Sequence, residues 1–299
     1  MHPPYLHTGD TIAIAAPARK ISEAELQCSV QFLQQEGFNV FYDERLWAQH
    51  HQFAGDDTIR ANYMQCLLDN PDIQAIWCAR GGYGSVRIID RLDFTKFLQH
   101  PKWIVGYSDV TVFHNHLNRN YDMATLHATM PINVKPETIG TPACQTMLTA
   151  LKGKKLHYEL HTHPLNRSGD FTAPVVGGNL SMLYALLGSP SDINTEGKVL
   201  FIEDLDEYLY HIDRMMSNLE RNGKLQNLAG LLVGHLSDMH DNTIPYGKNA
   251  EEIVAEHCDK YHFPLIFNFP AGHLADNRAI RLGMDLSCIY TDNQIIIEN

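Results

Sequence analysis

Short apolar runs alternate with amphipathic stretches through the first half of the chain, the pattern of βαβ units wound around a parallel sheet. Thr11-Ile12-Ala13-Ile14-Ala15-Ala16 predicts a first strand, stopped by Pro17. From Ser22, a residue suited to a helix cap, a helix is expected through Phe32 and Leu33 to a stop at Gly37, and Phe38-Asn39-Val40-Phe41-Tyr42 supplies the next strand. The same periodicity predicts a helix over roughly Asp56 to Leu68. Ile73-Gln74-Ala75-Ile76-Trp77-Cys78-Ala79 reads as a buried strand ending in the glycine turn Arg80-Gly81-Gly82-Tyr83-Gly84. Trp103-Ile104-Val105-Gly106 is a further strand, leading through Tyr107-Ser108-Asp109 into another helical run.

Between about Pro131 and Pro174 the pattern weakens into Pro, Gly, Lys and His, a composition that suits a domain crossing. The expected division is an N-terminal α/β domain over 1–150, a linker over 151–170 and a C-terminal domain over 171–299. The second half shows a helix after Gly177-Gly178-Asn179, the strand Val199-Leu200-Phe201-Ile202 and a long helix around Tyr210 to Leu219. Strands near Leu231-Leu232-Val233 and Leu265-Ile266-Phe267 and a closing alternation to Ile295-Ile296-Ile297 make this half a mixed α+β unit.

At 299 residues and 44% hydrophobic content the chain can bury a large core. Its 35 acidic against 23 basic residues, a formal net charge of -12, oppose a phosphate backbone, so nucleic acid is not expected as a partner. The opening residues lack the basic start and apolar stretch of a signal peptide, and no apolar run reaches membrane-spanning length, which predicts a cytoplasmic protein without a membrane partner. The six cysteines form no CxxC pair, so reduced thiols are expected rather than a disulfide framework or zinc knuckle.

Ser108 follows a short strand and precedes a helix, so a sharp turn would hold its hydroxyl at the C-terminal edge of the sheet, as in a nucleophile elbow. The pentapeptide Gly106-Tyr107-Ser108-Asp109-Val110 departs from G-x-S-x-G at its last position, and Ser108 equally suits a helix cap. A serine nucleophile needs a base, and the base needs an orienting acid. Of 17 histidines, His273 stands out in the rigid turn Phe269-Pro270-Ala271-Gly272-His273 directly after an apolar run. Glu203 lies at the end of the strand Val199–Ile202, within a cluster that also holds Asp204, Asp206 and Glu207, and local pattern does not choose among these acids. The turn Arg80–Gly84 can cradle an oxyanion with its backbone N–H groups, or can be a tight turn needing positive φ; it matches neither GxxxxGK[ST] nor GxGxxG. His161 and His163, His235 and His240, and His257 with Cys258 and His262 form neither HExxH nor a paired Cys/His set, so no metal site is expected.

Taken in order, Ala79–Gly84, Gly106-Tyr107-Ser108-Asp109, Gly177-Gly178-Asn179-Leu180, Ile202-Glu203-Asp204 with Ile212-Asp213-Arg214, and Ala271-Gly272-His273 through Asn277 resemble the LD-carboxypeptidase family, which includes microcin-immunity peptidases. Gly9 through Pro17 is similar to the family's first strand. The resemblance covers most of the chain. It implies a nucleophile at Ser108, a general base at His273, an orienting acid at Glu203, and an oxyanion hole from the backbone N–H groups of Gly82 and Asp109. It further implies a flavodoxin-like parallel sheet, related to glutamine amidotransferases, joined to a swivelling β/α domain in a homodimer, with the cleft between the domains. An amidotransferase would carry cysteine where Ser108 stands. The implied reaction, without cofactor, is hydrolysis of the bond between an L-centre of a diamino acid and terminal D-alanine in cytoplasmic murein tetrapeptides, as in peptidoglycan recycling. A microcin-type peptidyl-nucleotide hydrolase is the alternative within the family, and a non-catalytic peptide-binding module the alternative outside it. Where the family often shows Leu-Pro before a glycine, this chain has Ile280-Arg281-Leu282-Gly283, so Arg281 is expected to alter the cleft wall or its charge.

Overall fold

Which face each strand residue presents follows from period-2 alternation, and here it sorts apolar side chains into three cores. The computed structural model describes residues 1–291 and 294–299. Its elements are β1 (Thr11–Ala15), α1 (Glu23–Gln35), β2 (Asn39–Phe41), α2 (Asp57–Asp69), β3 (Ala75–Cys78), α3 (Thr95–Gln99), β4 (Trp103–Gly106), α4 (Thr111–Tyr121), β5 (Thr125–His127) and α5 (Pro142–Leu151). There follow β6 (His157–Leu160), β7 (Phe171–Asn179), α6 (Leu180–Leu186), β8 (Val199–Leu205), α7 (Leu209–Arg221), β9 (Gly230–Ser237), α8 (Ala250–Cys258), β10 (Leu265–Ile266), β11 (Ile280–Leu282), β12 (Asp285–Tyr290) and β13 (Ile295–Glu298).

The first sheet has the order β11-β5-β4-β3-β1-β2. β1 to β5 run parallel, and β11 closes one edge antiparallel to β5. The order 2-1-3-4-5 is that of flavodoxin-like sheets, where ligands gather beyond the C-terminal strand ends at the reversal point, between β1 and β3. The second sheet has the order β10-β9-β8-β7-β12-β13-β6, parallel from β10 to β7 and antiparallel from β7 to β6.

β3 and β4 are buried at every position, as strands covered on both faces must be. Ala75, Trp77, Trp103 and Val105 face one core, while Ile76, Cys78 and Ile104 face another under α2, α3 and α4. Val199, Phe201 and Leu232 of the second sheet enter the same core as Trp77 and Trp103, whereas Leu200, Ile202, Leu231 and Val233 pack beneath α7 and α8. One continuous apolar core thus joins the inner faces of both sheets.

Residues 151–170, where a linker is expected, carry β6, which pairs with β13 at the edge of the second sheet. β11, from the C-terminal half, completes the first sheet. Arg281 within it is not among the residues that line the cleft, against the expectation that it alters the wall or its charge. The residue is buried and donates to the carbonyls of Ala150, Lys154 and Asn299, tying the end of α5 and the last residue to β11. A three-residue strand deep in the fold turns its guanidinium inward, where only backbone oxygens are available to satisfy it.

Gly177 and Gly178 stand near the end of β7, where the chain passes other atoms too closely for a side chain. A β-carbon on Gly177 would stand 2.0 Å from the Phe201 carbonyl oxygen, and one on Gly178 would stand 2.6 Å from Thr111 Oγ1. Both have positive φ. The second contact is where the second sheet touches the start of α4, and the Asn179 backbone N–H donates to Thr111 Oγ1 at 3.1 Å. Gly177→Ala is therefore expected to destabilise the protein by about 3 kcal/mol or more in urea unfolding. Gly188→Ala, at a positive-φ position with nothing within 4 Å of the added carbon, should lose only about 1 kcal/mol. Equal losses at the two positions would contradict the close-approach account.

Candidate active site

β4 ends at Gly106, and the chain turns through Tyr107 into a short 3-10 segment, Ser108–Val110, that leads into α4. Ser108 holds a left-handed backbone conformation, φ 62°. Such a conformation costs a non-glycine residue on the order of 1 kcal/mol and persists where surrounding structure enforces it. Ser108 caps nothing: neither the 3-10 segment nor α4 has a side-chain cap hydrogen bond. The glycine turn after β3 lies against it, since a β-carbon on Gly81 would stand 2.8 Å from Ser108 Oγ. Neither the Gly82 nor the Asp109 backbone N–H has an acceptor among the turn and loop hydrogen bonds of the described residues. The buried Asp109 carboxylate accepts from the Ser85 N–H at 2.8 Å, fastening the far end of the glycine turn to the serine turn. Burial raises the Asp109 pKa against that hydrogen bond.

Glu203 and His273 come from the second sheet. Glu203, fully buried near the end of β8, meets His273 Nδ1 through Oε2 at 2.7 Å, and its Oε1 has no partner among the described residues. The pairing of β8 with β9 shifts register between Ile202 and Asp204, opposite Gly234 and His235 of β9. Such irregularities re-aim side chains. Room for the carboxylate comes from two glycines: a β-carbon on Gly234 would stand 3.2 Å from Glu203 Cβ, and one on Gly272 would stand 3.1 Å from Glu203 Oε2. The His273 turn is held by Asn277 Oδ1, which accepts from the Gly272 N–H at 3.0 Å, and by the His235 N–H donating to Ala271 O at 2.9 Å. Tyr107, the neighbour of Ser108, packs edge-on against the imidazole, with ring centroids 4.8 Å apart. Burial disfavours the imidazolium, but the attraction and hydrogen bond of Glu203 outweigh it and hold the His273 pKa above the ordinary 6.5.

Ser108, Gly82, Asp109 and His273 line one cavity of about 410 Å³ beyond the strand ends of both sheets. No hydrogen bond joins Ser108 to His273 among the described residues; with Nδ1 engaged by Glu203, Nε2 is the nitrogen left for chemistry. Unliganded sites often hold such pairs apart until substrate binds. A larger cavity of about 690 Å³, over α1, contains none of these residues.

The acids that sequence left open have separate partners. Asp204 accepts from Asn179 Nδ2 at 2.9 Å and from the Ser181 N–H at 2.8 Å, anchoring the start of α6. Burial and then the nearby Glu203 push its pKa up to about 7. Asp206 meets His240 and Glu207 meets His211, each at 2.5 Å. Of the histidines flagged for metal, His257 sits between Asp213 and Glu220, and His163 lies 3.5 Å from Glu251. Among the described residues no group of three or more His, Cys, Asp or Glu side chains is arranged to hold a metal ion. Sequence reading passed over Arg19, which lines the same cavity as Ser108; its signal is its place just beyond the C-terminal end of β1, at the reversal point of the first sheet.

Residues 12–128 match the LD-carboxypeptidase N-terminal domain and residues 172–287 the LD-carboxypeptidase C-terminal domain. The chain is 31% identical to a probable murein peptide carboxypeptidase of Bacillus subtilis, over 99% of this chain and 94% of the relative. It is 24% identical to the microcin C7 self-immunity protein MccF of Escherichia coli, over 98% of this chain and 94% of that protein. The crystal structure of a muramoyltetrapeptide carboxypeptidase from Oxalobacter formigenes superposes with a TM-score of 0.87 at 25% identity, covering 96% of this chain and 98% of that one.

Because the Glu203 charge is what raises the His273 pKa, Glu203→Gln should lower it. Titration of the His273 ring resonances by NMR checks this: the variant's midpoint is expected at lower pH than the wild type's. An unchanged midpoint would show that the carboxylate does not govern the imidazole.

Proposed function

The chain belongs to the LD-carboxypeptidase family and is a serine-type carboxypeptidase; on that premise we propose that Ser108, His273 and Glu203 act as its catalytic triad on cytoplasmic murein tetrapeptides. The observation that carries this reading is a histidine oriented by a buried carboxylate, on the wall of the cavity that a strained serine also lines. His273 Nε2 takes the hydroxyl proton as Ser108 Oγ attacks the carbonyl carbon of the diamino-acid residue. The Gly82 and Asp109 N–H groups receive the oxyanion. The imidazolium formed is stabilised by Glu203 and returns the proton to the leaving nitrogen of D-alanine. Water, activated in turn by His273, then hydrolyses the acyl-enzyme.

The choice of substrate is supported by the similarity to a probable murein peptide carboxypeptidase and to a muramoyltetrapeptide carboxypeptidase. Peptidoglycan recycling in the cytoplasm and a homodimeric state belong to the same proposal and rest on the family resemblance. No helix among the described residues is long and apolar enough to cross a membrane. A site that holds the scissile carbonyl against Ser108 and two fixed N–H donors can discriminate configuration, because one stereoisomer aligns and the other does not. Cleavage of a peptidyl nucleotide is the competing activity, since MccF is also a relative.

Incubating the protein with the natural tetrapeptide, its all-L analogue and a peptidyl nucleotide, with mass spectrometry of the products, tests the proposal. D-Alanine release from the natural tetrapeptide should dominate, and Ser108→Ala should lower it by several orders of magnitude, with Glu203→Gln milder. Preferential cleavage of the all-L peptide would rule out the LD assignment. Cleavage of the nucleotide conjugate without D-alanine release would favour the competing activity, and binding without any cleavage a non-catalytic module.

A further inference from the structure

A carboxypeptidase must distinguish the last peptide bond from all others, and the feature that does so chemically is the free terminal carboxylate. Only the nitrogen and α-carbon of the leaving residue separate that carboxylate from the scissile carbonyl. Its receptor must therefore stand beside the serine and the oxyanion donors, and a cation not already paired with the protein's own carboxylates is well suited to the role. Two arginines line the cavity with Ser108, Arg19 and Arg80. Arg80 is committed: it donates to the Lys20 carbonyl at 3.2 Å and lies 3.8 Å from Glu25. The Arg19 guanidinium has no hydrogen-bond or ion-pair partner among the described residues, and Arg19 is exposed.

The position of Arg19 is built rather than incidental. A β-carbon on Gly82 would stand 2.5 Å from Arg19 Cδ and 2.7 Å from Cγ and Nε, so the side chain lies directly across the residue that carries one proposed oxyanion donor. The adjoining Gly81 is in the same relation to Ser108 Oγ, at 2.8 Å, which sets Arg19 and Ser108 against successive residues of one turn. The turn and the Arg19 loop are locked together by Arg60, whose buried guanidinium donates to the Pro17 carbonyl at 2.6 Å and the Gly84 carbonyl at 2.9 Å. The Ala54 N–H donates to the Ala18 carbonyl at 3.1 Å and holds the loop from its other side.

We propose that Arg19 receives the terminal carboxylate of the substrate and so confines cleavage to the last peptide bond. The inference rests on the carboxypeptidase reading above and adds to it the residue that sets exopeptidase specificity. The planar guanidinium offers paired donors to a carboxylate, which lysine, a point charge, does not reproduce.

The test compares kcat/KM for a tetrapeptide ending in free D-alanine with that for the same peptide ending in D-alanine carboxamide, in the wild type, Arg19→Gln, Arg19→Lys and Arg80→Gln. The wild type should prefer the acid, and Arg19→Gln should shrink the acid-to-amide ratio by about 10-fold or more, the scale of a hydrogen bond to a charged group. Arg19→Lys should keep part of the preference and Arg80→Gln most of it. Loss of folding alone lowers both rates and leaves their ratio, so the ratio isolates the contact; melting temperatures check that the variants fold. An unchanged ratio in folded Arg19→Gln, or a collapse confined to Arg80→Gln, would overturn the proposal. A wild type that cleaves neither peptide would instead remove the carboxypeptidase substrate assigned above, and this inference with it.

Discussion

A buried carboxylate must be paired or give up its charge, and the hydrogen bond between Glu203 and His273 is the pairing on which the site depends. Glu203 is enclosed at the end of β8, and among the described residues only the His273 imidazole meets its oxygens. Removing one partner of such a pair typically costs about 3–5 kcal/mol or forces a proton onto the survivor. The same bond that orients the imidazole is thus part of what holds the His273 turn to the second sheet. Gly234 and Gly272 leave the space for it, and Asn277 fixes the turn from below. Across the cavity the first sheet supplies Ser108 in its left-handed turn, and the glycines of β7 let the two halves approach at Thr111.

Much of this was legible in the sequence where function and local geometry coincide. Ser108 and His273 each follow an apolar run into a turn, and catalytic groups in α/β proteins collect beyond strand ends, so their candidacy needed no long-range information. Local pattern did not separate Glu203 from Asp204; the family resemblance pointed to Glu203, and the fold gives the two acids different partners. Adjacent strand residues alternate faces, so Glu203 meets His273 while Asp204 meets Asn179 and Ser181, beside the register shift of β8 against β9. β6 and β11 do not read as strands in the sequence: His157-Tyr158-Glu159-Leu160 and Ile280-Arg281-Leu282 are short, interrupted by charged or polar residues, and paired with strands distant in the chain. Arg281 misled for the same reason: its role is set by the carbonyls of Ala150, Lys154 and Asn299, which sequence proximity does not reveal.

Charged side chains of both signs line the cavity: Arg19, Arg80 and Asp109 come from the first sheet's side, and Asp204, Asp206 and Glu207 from the second's. Of the two cavity arginines, Arg19 is exposed and has no partner among the described residues, whereas Arg80 is half-buried and held by the Lys20 carbonyl and Glu25.

The central claim is that Ser108 is the reactive nucleophile, activated by an imidazole that Glu203 orients. It is tested most directly by treating the protein with a serine-directed fluorophosphonate and locating the adduct by peptide mass mapping. The account predicts a single adduct on Ser108, formed far more slowly in His273→Ala. An adduct on another serine, or labelling of Ser108 at an undiminished rate without His273, would contradict it.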